Sequence, residues 1–556
     1  MLTRLFLLLS LLLAPVVALA KDGMVSAADP RAAEAGRTIL REGGSAADAA
    51  MAMMLALGVV EPQSSGIGGG GLLVHHDGRT GAIATIDGRE TAPAADGPGL
   101  FLGPDGRPMP FMQAFPGGIS VGVPGNVRLM EMTHAKWGRL PWAKLFEPAI
   151  ALAEKGYTVT PRLAQSLAMV APLWKDFPEI RAIYWRDGKP APVGTLIRNP
   201  ALAETLRRIA RDGPDAFYGG ATGAAITGAV AGASRHPAAL TAADLAGYRA
   251  KERPAVCGTY RGYRICGMGP PSSGAVTILQ ILGMIERFDM KAMGPRDPRA
   301  WHLIAEAMQL AYADRDVYLG DSDFVSVPLA GLVDRAYLAR RSQLISLDRS
   351  LGLYRPGTPP GAAPRTVAPS GEVPSTTNFV AVDGTGDAVT MTSTVEGPFG
   401  SQLVAGGFVL NNELTDFSFA PEKDGAPVAN RVEAGKRPLS SMSPTIIYGP
   451  DGRMVLALGS AGGKRIIMHV LKTLIGVLDW GLPAQQAIAL PNIYFGGGAV
   501  LVERGTMLEG MAPSLEKLGQ TVTPADLTSK VNAIERTPQG WRGAADPRSE
   551  GVALPE

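Results

Sequence analysis

The spacing of hydrophobic residues predicts helices in the first part of the chain. Asp29 followed by proline is the pattern of a helix N-cap with proline at the first helical position, and two glycines at 43–44 end that helix. Ser45 caps the next helix, AADAAMAMMLALGVV, which is apolar on nearly every face and is therefore expected to be buried. Residues 140–345 are also predicted to be mostly helical.

The pattern changes to alternating strands after residues 350–374, which are rich in Gly, Pro, Ala and Thr and predict an extended surface connector. The hairpins that follow are, in order, NFVAVD–GTG–DAVTMTST, GGFVLNN and SPTIIYG–PDG–RMVLALG. A helix, KRIIMHVLKTLIGVLDWG, and a last hairpin, VNAIERT–PQG–WRGAAD, end the chain. Helices outside hairpin-built sheets predict a layered α+β architecture.

Residues 1–20 have the features of a secretory signal peptide. They hold one arginine, an apolar run and an A-x-A cleavage pattern at 18–20. The alternative, an uncleaved membrane anchor, is disfavoured because the run is shorter than the ~20 residues a spanning helix needs. We therefore expect an exported protein, periplasmic or secreted, without a stable membrane anchor.

Composition and charge narrow the possible partners. The 556 residues are 46% hydrophobic and 19% charged, which is typical of a folded protein. The formal net charge of +2 gives no reason to expect nucleic acid or an anionic membrane as a partner.

The two cysteines, Cys257 and Cys266, lie in AVCGTYRGYRICG. A two-residue hairpin about 261–262 would place them opposite each other at a non-hydrogen-bonded pair, near the lower limit of disulfide geometry. An oxidising compartment would permit the bond. Two small residues buried on a strand remain the alternative.

The hairpin after the connector places two hydroxyl groups together. With a three-residue loop at 384–386, Asp383 faces Asp387, and counting outward puts Thr376 opposite Thr394. The strand-initial threonine would then have a second hydroxyl beside it. Threonine is also a favoured strand residue, so the pair alone is compatible with a structural role.

The sequence does not support other common metal-binding, nucleotide-binding or catalytic motifs. His75 and His76 are adjacent on a strand and point to opposite faces, so they cannot chelate one metal ion. The glycines at 66–71 precede a strand instead of following one, which excludes a dinucleotide fingerprint. GSAGGKR at 459–465 lacks the phosphate-loop pattern, and S-x-x-K at 514–517 has no K-T-G partner. No metal or cofactor is implied.

Several motifs in order resemble the γ-glutamyltransferases (γ-glutamyl transpeptidases), which are N-terminal nucleophile hydrolases. They are GMVSAADPRAAEAG, REGGSAADAA, EPQSSGIGGGG, IDGRETAP, STTNF, LNNELTDFS, GKRPLSSMSPT, GSAGGKR and GAADPRS. The resemblance covers essentially the whole mature chain. It implies a four-layer αββα sandwich built from two subunits of one processed precursor.

The resemblance also implies that the chain cuts itself between Ser375 and Thr376. A large subunit of residues 21–375 and a small catalytic subunit of residues 376–556 would then form a heterodimer. Thr376 would supply both nucleophile and base, because a freed α-amino group has a pKa near 8 and accepts a proton close to neutral pH. Thr394 would hydrogen-bond the nucleophile and position it.

Two glycines, Gly462 and Gly463, match the family's oxyanion hole, in which backbone N–H groups stabilise the developing negative charge. Without the resemblance, a plain turn before a helix would be the preferred interpretation. Glu396 occupies a position that is asparagine in some members, and we expect it to contact the substrate ammonium. Asn378 stands at a position where many members have histidine. We expect this difference to have only a local effect on the site.

The remaining matches concern the charges of a γ-glutamyl group. Arg89 resembles the arginine that grips the substrate α-carboxylate, and Ser440 and Ser441 match the paired serines that help to hold it. Glu413 and Asp416 match the acidic pair that binds the α-ammonium. Considered without the family, Arg89 would be a surface ion pair and the two acids a solvated turn. The segment between 416 and 440, a lid in many members, is somewhat short.

The resemblance predicts an enzyme that cleaves the γ-glutamyl amide of glutathione and related compounds through a threonyl ester. Water, an amino acid or a dipeptide then accepts the acyl group. One alternative is a cephalosporin or glutaryl acylase on the same scaffold, although a glutaryl group has no ammonium for the acidic pair. The other is an unprocessed γ-glutamyl peptide binding protein.

Overall fold

The computed structural model describes residues 19–20, 22–367, 371, 375–496 and 498–556. The predicted signal peptide therefore lies mostly outside the described residues, and only its last two positions form a short strand at a sheet edge. Among the helices that are described, none is long and apolar enough to cross a membrane.

The fold is built on two seven-stranded sheets in which every neighbouring pair of strands is antiparallel. The nucleophile sheet has the strand order Val552–Pro555, Met24–Ala27, Thr376–Val382, Ala388–Thr394, Gly70–His76, Ile83–Gly88, Lys251–Arg253. The opposing sheet has the order Leu19–Ala20, Gly540–Ala545, Asn532–Thr537, Met454–Gly459, Thr445–Tyr448, Tyr263–Gly267, Val256–Tyr260.

Helices surround these sheets, and the mixed α and β content agrees with the predicted α+β class. The α-helices of eight or more residues in the described chain are Pro30–Arg41, Ala46–Val60, Asn126–Trp137, Glu147–Lys155, Pro161–Val170, Pro200–Asp212, Gly220–Ala231, Gly274–Ile285, Pro298–Tyr318, Arg335–Ser342, Ile466–Leu478 and Met507–Lys517. The predicted caps at Asp29 and Ser45 are both confirmed, and nearly all of Ala46–Val60 is buried, as its composition predicts.

Alternate side chains of the strand Thr376–Val382 enter two different cores. Phe379 and Ala381 pack with the helices Pro30–Arg41 and Ala46–Val60, whereas Val380 and Val382 pack against residues of the opposing sheet. Because side chains alternate along a strand, Thr376 lies on the same side as Val380, which faces the opposing sheet.

The predicted hairpin register is confirmed in full. Thr376 pairs with Thr394, and the Asp383 N–H donates to the Asp387 carbonyl at 3.0 Å across the loop. On its other side the strand pairs with Met24–Ala27 only through residues 379–382, so the segment 376–378 has a strand neighbour on one side. The described part of the connector before it contains neither helix nor strand.

Cys257 and Cys266 face each other on a hairpin, as their spacing predicts, and they form a disulfide. The alternative of two unbonded buried residues is therefore wrong. The two histidines also behave as predicted. His75 stacks on Trp137, whereas the Nδ1 atom of His76 lies 3.1 Å from the Tyr448 hydroxyl on the opposing sheet.

Candidate active site

The hydroxyl of Thr376 lies at the start of its strand and is 5% exposed. Its Oγ1 atom is 3.3 Å from the Oγ1 atom of Thr394. The Thr394 hydroxyl in turn donates to the Ser375 carbonyl oxygen at 3.0 Å and accepts from the Glu396 N–H at 2.8 Å. One hydroxyl thus contacts both the candidate nucleophile and the carbonyl group of the peptide bond that precedes it.

The segment 61–64 holds the backbone on both sides of Thr376. The Ser375 hydroxyl donates to the Gln63 carbonyl oxygen at 2.5 Å, and the Thr377 hydroxyl donates to the Glu61 carboxylate at 3.0 Å. Lys530 neutralises that carboxylate with a buried ion pair at 3.0 Å. These contacts fix the residues that flank the candidate nucleophile and leave its own hydroxyl to Thr394.

Arg89 is buried and pairs with both acids of the NNELTDF motif. Its guanidinium forms an ion pair with Glu413 and another with Asp416, the latter at 2.5 Å. It also donates to the carbonyl oxygens of Pro438 and Leu439. The interpretations of a surface ion pair and of a solvated turn are therefore wrong, since Arg89 and Glu413 are each 1% exposed.

A third acid, Glu90, belongs to the same charge cluster. Burial raises the pKa values of Glu90, Glu413 and Asp416, and the positive charge of Arg89 opposes that rise in all three. One guanidinium thus compensates several buried carboxyl groups.

The paired serines are tied to the helix Pro298–Tyr318. Arg315 of that helix donates from Nη2 to the Ser441 hydroxyl at 3.0 Å and from Nε to the Ser273 hydroxyl at 2.9 Å. Ser273 donates to the Ser440 carbonyl oxygen at 2.8 Å. Both serines are buried, so this network sets their orientation.

Gly462 and Gly463 adopt positive φ angles of 133° and 64°, which favour glycine. They stand between the strand Met454–Gly459 and the helix Ile466–Leu478. A side chain at Gly462 would lie 2.9 Å from the ring of His469, so packing also requires a glycine there. His469 is buried under this loop, and burial lowers its pKa well below the ordinary histidine value.

The two departures from the family pattern occupy different surroundings. Glu396 has a positive φ of 75° and accepts a hydrogen bond from the Asn412 amide, which directs its carboxylate next to Thr376. Asn378 is buried on the strand and donates to the Met391 carbonyl oxygen at 2.8 Å. The short segment between 416 and 440 forms a small hairpin, and Asn430 ties it back to the Asp416 carbonyl oxygen at 2.7 Å.

The structure brings nine of the ten predicted site residues around one small cavity of about 10 Å³. They are Arg89, Thr376, Thr394, Glu396, Glu413, Asp416, Ser440, Ser441 and Gly463. Gly462 is the chain neighbour of Gly463. We call this space the nucleophile cavity.

Sequence reasoning did not find Glu90, Arg315 or Asn412. Glu90 directly follows Arg89 in IDGRETAP, so the signal for it was adjacent to a motif already chosen. Arg315 lies in a helix with no motif, and only the fold brings it to Ser441. Asn412 lies in LNNELTDFS next to the acidic pair and orients Glu396.

A family model described as gamma-glutamyltranspeptidase matches residues 32–556. The chain belongs to this family. Among known members, the glutathione hydrolase proenzyme of Bacillus subtilis is 35% identical over 552 residues, which are 96% of this chain and 91% of that protein.

Two solved structures place this family member among related folds. The cephalosporin acylase of Bacillus halodurans has a TM-score of 0.86 and 27% identity, and the match covers 98% of this chain and 97% of that one. The γ-glutamyltranspeptidase of Helicobacter pylori has a TM-score of 0.57 and 37% identity, covering 59% of this chain and 93% of that one. Both activities therefore have to be weighed against the geometry of the nucleophile cavity.

Proposed function

We propose that this family member is a self-processing γ-glutamyltransferase and glutathione hydrolase whose nucleophile is Thr376. The observation that carries the proposal is the Thr394 hydroxyl, which contacts Oγ1 of Thr376 at 3.3 Å and donates to the Ser375 carbonyl oxygen at 3.0 Å. A nucleophile and a polarised carbonyl group thus contact the same hydroxyl, which donates to the carbonyl oxygen.

Processing follows from that arrangement. Oγ1 of Thr376 attacks the Ser375 carbonyl carbon, the C–N bond breaks, and the hydroxyl proton passes to the Thr376 nitrogen. Water then cleaves the resulting ester, which gives a carboxylate on Ser375 and returns a proton to Oγ1. Residues 21–375 and 376–556 become two subunits, in agreement with the proenzyme name of the Bacillus subtilis relative.

Turnover uses the same atoms with the new α-amino group as base. That amine takes the Thr376 hydroxyl proton while Oγ1 attacks the γ-carbonyl carbon of the substrate. The amide C–N bond breaks and the amine leaves with the proton. Water or an acceptor amine then attacks the ester carbon, the C–Oγ1 bond breaks, and Oγ1 regains a proton. The N–H groups of Gly462 and Gly463 stabilise the oxyanion in each step.

The charges around Arg89 favour a substrate end that carries both signs. A γ-glutamyl group can insert its α-carboxylate at Arg89 and its α-ammonium at Glu413 and Asp416, so every buried charge keeps a partner. Ser440 and Ser441 add hydrogen bonds to the carboxylate. A glutaryl group has no ammonium, so it would leave the two acids without compensation, which is costly in a buried site.

The proposal also includes a four-layer arrangement of the fold and export of the protein. Three of the hydrophobic cores, one on the helix side of each sheet and one between the sheets, support the four-layer αββα arrangement of N-terminal nucleophile hydrolases. The disulfide between Cys257 and Cys266 supports export to an oxidising compartment, periplasmic or secreted.

Acylase activity is the second candidate because the Bacillus halodurans cephalosporin acylase has the same overall fold. The two activities are separated by comparing γ-glutamyl-p-nitroanilide with glutaryl-p-nitroanilide. We expect kcat/KM to favour the γ-glutamyl compound by at least about a hundredfold, since an unpaired buried charge costs about 3 kcal/mol or more. Equal turnover, or a preference for the glutaryl compound, would contradict the proposal.

Processing is tested on the same preparation by a denaturing gel with N-terminal sequencing of the smaller band. We expect that band to begin at Thr376. A single uncut chain of about 58 kDa that binds γ-glutamyl peptides without cleaving them would favour the binding-protein alternative.

A further inference from the structure

His469 is a buried histidine that none of the steps described so far uses. It lies in the helix Ile466–Leu478, one turn after Ile466, which lines the nucleophile cavity. Its ring contacts the loop 460–463, which carries the two glycines of the candidate oxyanion hole. This histidine is therefore in contact with the backbone on which the proposed reaction depends.

One nitrogen of the ring makes the polar contacts with this loop. The Nδ1 atom of His469 is 3.1 Å from the Ser460 hydroxyl oxygen and 3.2 Å from the Ala461 carbonyl oxygen. A carbonyl oxygen can only accept a hydrogen bond, so Nδ1 carries the proton and donates it to Ala461. The Nε2 atom is buried and has no partner in the described part of the chain, so a proton there would have no acceptor.

The surroundings of His469 keep its ring neutral. Burial lowers the pKa of His469 well below the ordinary histidine value, and the positive charges of Lys472, Arg465 and Arg548 act in the same direction. A neutral imidazole has a single N–H group, and here that group is used for the Ala461 carbonyl oxygen. The hydrogen bond is therefore kept at neutral pH and above.

The carbonyl group of Ala461 and the N–H group of Gly462 belong to the same peptide unit. In a trans peptide these two groups point in opposite directions, so a donor that holds the carbonyl oxygen on one side directs the N–H group to the other. The ring also packs against Gly462, because a Cβ atom at this position would be 2.9 Å from Cε1 of His469. His469 thus fixes the rotation of this peptide and the distance between the loop and the helix.

We propose that His469 is a positioning residue for the oxyanion hole, because its Nδ1–H group holds the Ala461 carbonyl oxygen and thereby aims the Gly462 N–H group at the developing negative charge. The inference rests on the proposed function, in which the N–H groups of Gly462 and Gly463 stabilise the oxyanion. A hydrogen bond to the carbonyl oxygen also polarises the peptide, which strengthens its N–H group as a donor. His469 is not among the residues that line the nucleophile cavity, so it acts through the peptide and not on the substrate.

The test compares variants that differ in where they can place an N–H group. In His469→Asn the side-chain nitrogen is bonded to Cγ, as Nδ1 is in histidine, whereas in His469→Gln the amide lies one bond further from the backbone. The processed enzymes are assayed with γ-glutamyl-p-nitroanilide, and the rates are normalised to the amount of small subunit on a denaturing gel. We expect kcat to fall by at least about tenfold in His469→Gln and in His469→Leu, and to stay within about threefold of the unaltered enzyme in His469→Asn.

The value of KM separates positioning of the oxyanion hole from a general loss of structure. Formation and breakdown of the threonyl ester both produce an oxyanion, so a misdirected N–H group slows both steps and leaves KM within about twofold. Thr473→Val is the matched control, since it removes a buried hydroxyl of the same helix that donates to the His469 carbonyl oxygen at 2.8 Å. We expect kcat of this control to stay within about twofold of the unaltered enzyme.

The inference is overturned by an unchanged kcat in His469→Gln and His469→Leu, by a loss in His469→Asn as large as in His469→Gln, or by an equal loss in Thr473→Val. If His469→Leu does not fold, the comparison of His469→Asn with His469→Gln decides. In all these cases the unaltered enzyme still cleaves the donor, so the proposed function stands. If the unaltered enzyme does not cleave the donor at all, the proposed function fails, and this inference fails with it.

Discussion

Two cavities border the segment 463–464, and they differ in size and in lining: the nucleophile cavity includes Gly463, and a larger cavity includes Lys464. The nucleophile cavity measures about 10 Å³ and is closed by ion pairs between Arg89 and two acids. The larger cavity measures about 500 Å³, and its lining combines aromatic side chains such as Tyr312 and Tyr494 with small and polar residues. A ligand that enters the nucleophile cavity therefore has to replace the ion pairs of Arg89.

This difference shows that burial of charge is concentrated in the nucleophile cavity, where Arg89, Glu413 and Asp416 meet. Buried charges reject any group that fails to compensate them, so the donor end is selected by charge and shape together. The aromatic side chains of the larger cavity contribute contact area without a buried charge to compensate. The predictions below test each side of this contrast.

The largest expected effect is the loss of the nucleophile itself. Thr376→Ala should leave a single chain of about 58 kDa and abolish release of p-nitroaniline from the γ-glutamyl donor, because the attacking oxygen is absent from both steps. A denaturing gel and a colorimetric assay measure the two results. Thr523→Ala, at an exposed strand position, is the matched control and should be processed and active. Undiminished glutamate release from Thr376→Ala would contradict the proposal that Thr376 is the nucleophile.

The next largest effect concerns the charge balance of the nucleophile cavity. In the unprocessed Thr376→Ala background, Arg89→Gln should lower the free energy of unfolding by about 3–5 kcal/mol, because it leaves buried carboxylates without a cation. Urea unfolding measures this loss. Adding Glu413→Gln should restore part of the stability, since it removes one of the unpaired charges. If the second substitution destabilised the protein further, the charges would not be coupled as described.

A smaller effect is expected in the pH dependence of stability. The folded state holds a proton on Glu90 at pH values where the unfolded chain has released it, because burial raises the pKa of this carboxyl group. The free energy of unfolding should therefore fall as the pH rises above the ordinary carboxyl range, from about pH 5 upward. Glu90→Gln in the Thr376→Ala background should make this fall shallower. Glu413 and Asp416, whose pKa values are also raised by burial, contribute to the remainder.

That pH prediction is checked by urea unfolding midpoints at several pH values between about 5 and 9. Asp451→Asn is a suitable control because Asp451 lies in an exposed turn. Equal slopes for Glu90→Gln and its parent would show that Glu90 does not hold a proton in the folded state.

The smallest effect is expected at the segment 463–464. Tyr312→Phe removes the hydroxyl that donates to the Lys464 carbonyl oxygen, and one such hydrogen bond is worth about 1 kcal/mol. We expect about a fivefold loss in kcat/KM for the γ-glutamyl donor, because this bond holds the residue that follows Gly463. Tyr494→Phe, which keeps the ring in the larger cavity, is the comparison. An undiminished kcat/KM in Tyr312→Phe would mean that this bond does not position the glycine loop.

Much of the fold was predictable because its signals are local. The caps at Asp29 and Ser45, the loop between Asp383 and Asp387, and the pairing of Thr376 with Thr394 follow from residue type and strand counting alone. The disulfide followed from the same counting, although the sequence left its formation open.

The rest depended on contacts between distant parts of the chain. Arg89 and Glu413 are 324 positions apart, and nothing in either motif indicates that they pair with each other before a substrate arrives. Arg315 carries no motif, and the large cavity is assembled from segments near 312, 354, 464, 494 and 520. No local pattern specifies such a space, because its shape is set by how helices and strands pack.

The strand that begins at Thr376 lies between Met24–Ala27 and Ala388–Thr394, and the same sheet continues with Gly70–His76. Strands from before and after the proposed cut are therefore interleaved within one hydrogen-bonded sheet. An intact precursor finds this order as a single molecule, but two severed pieces would have to meet first. Once cut, the enzyme should recover from denaturation slowly and only at high concentration, so the cell has one opportunity to assemble it.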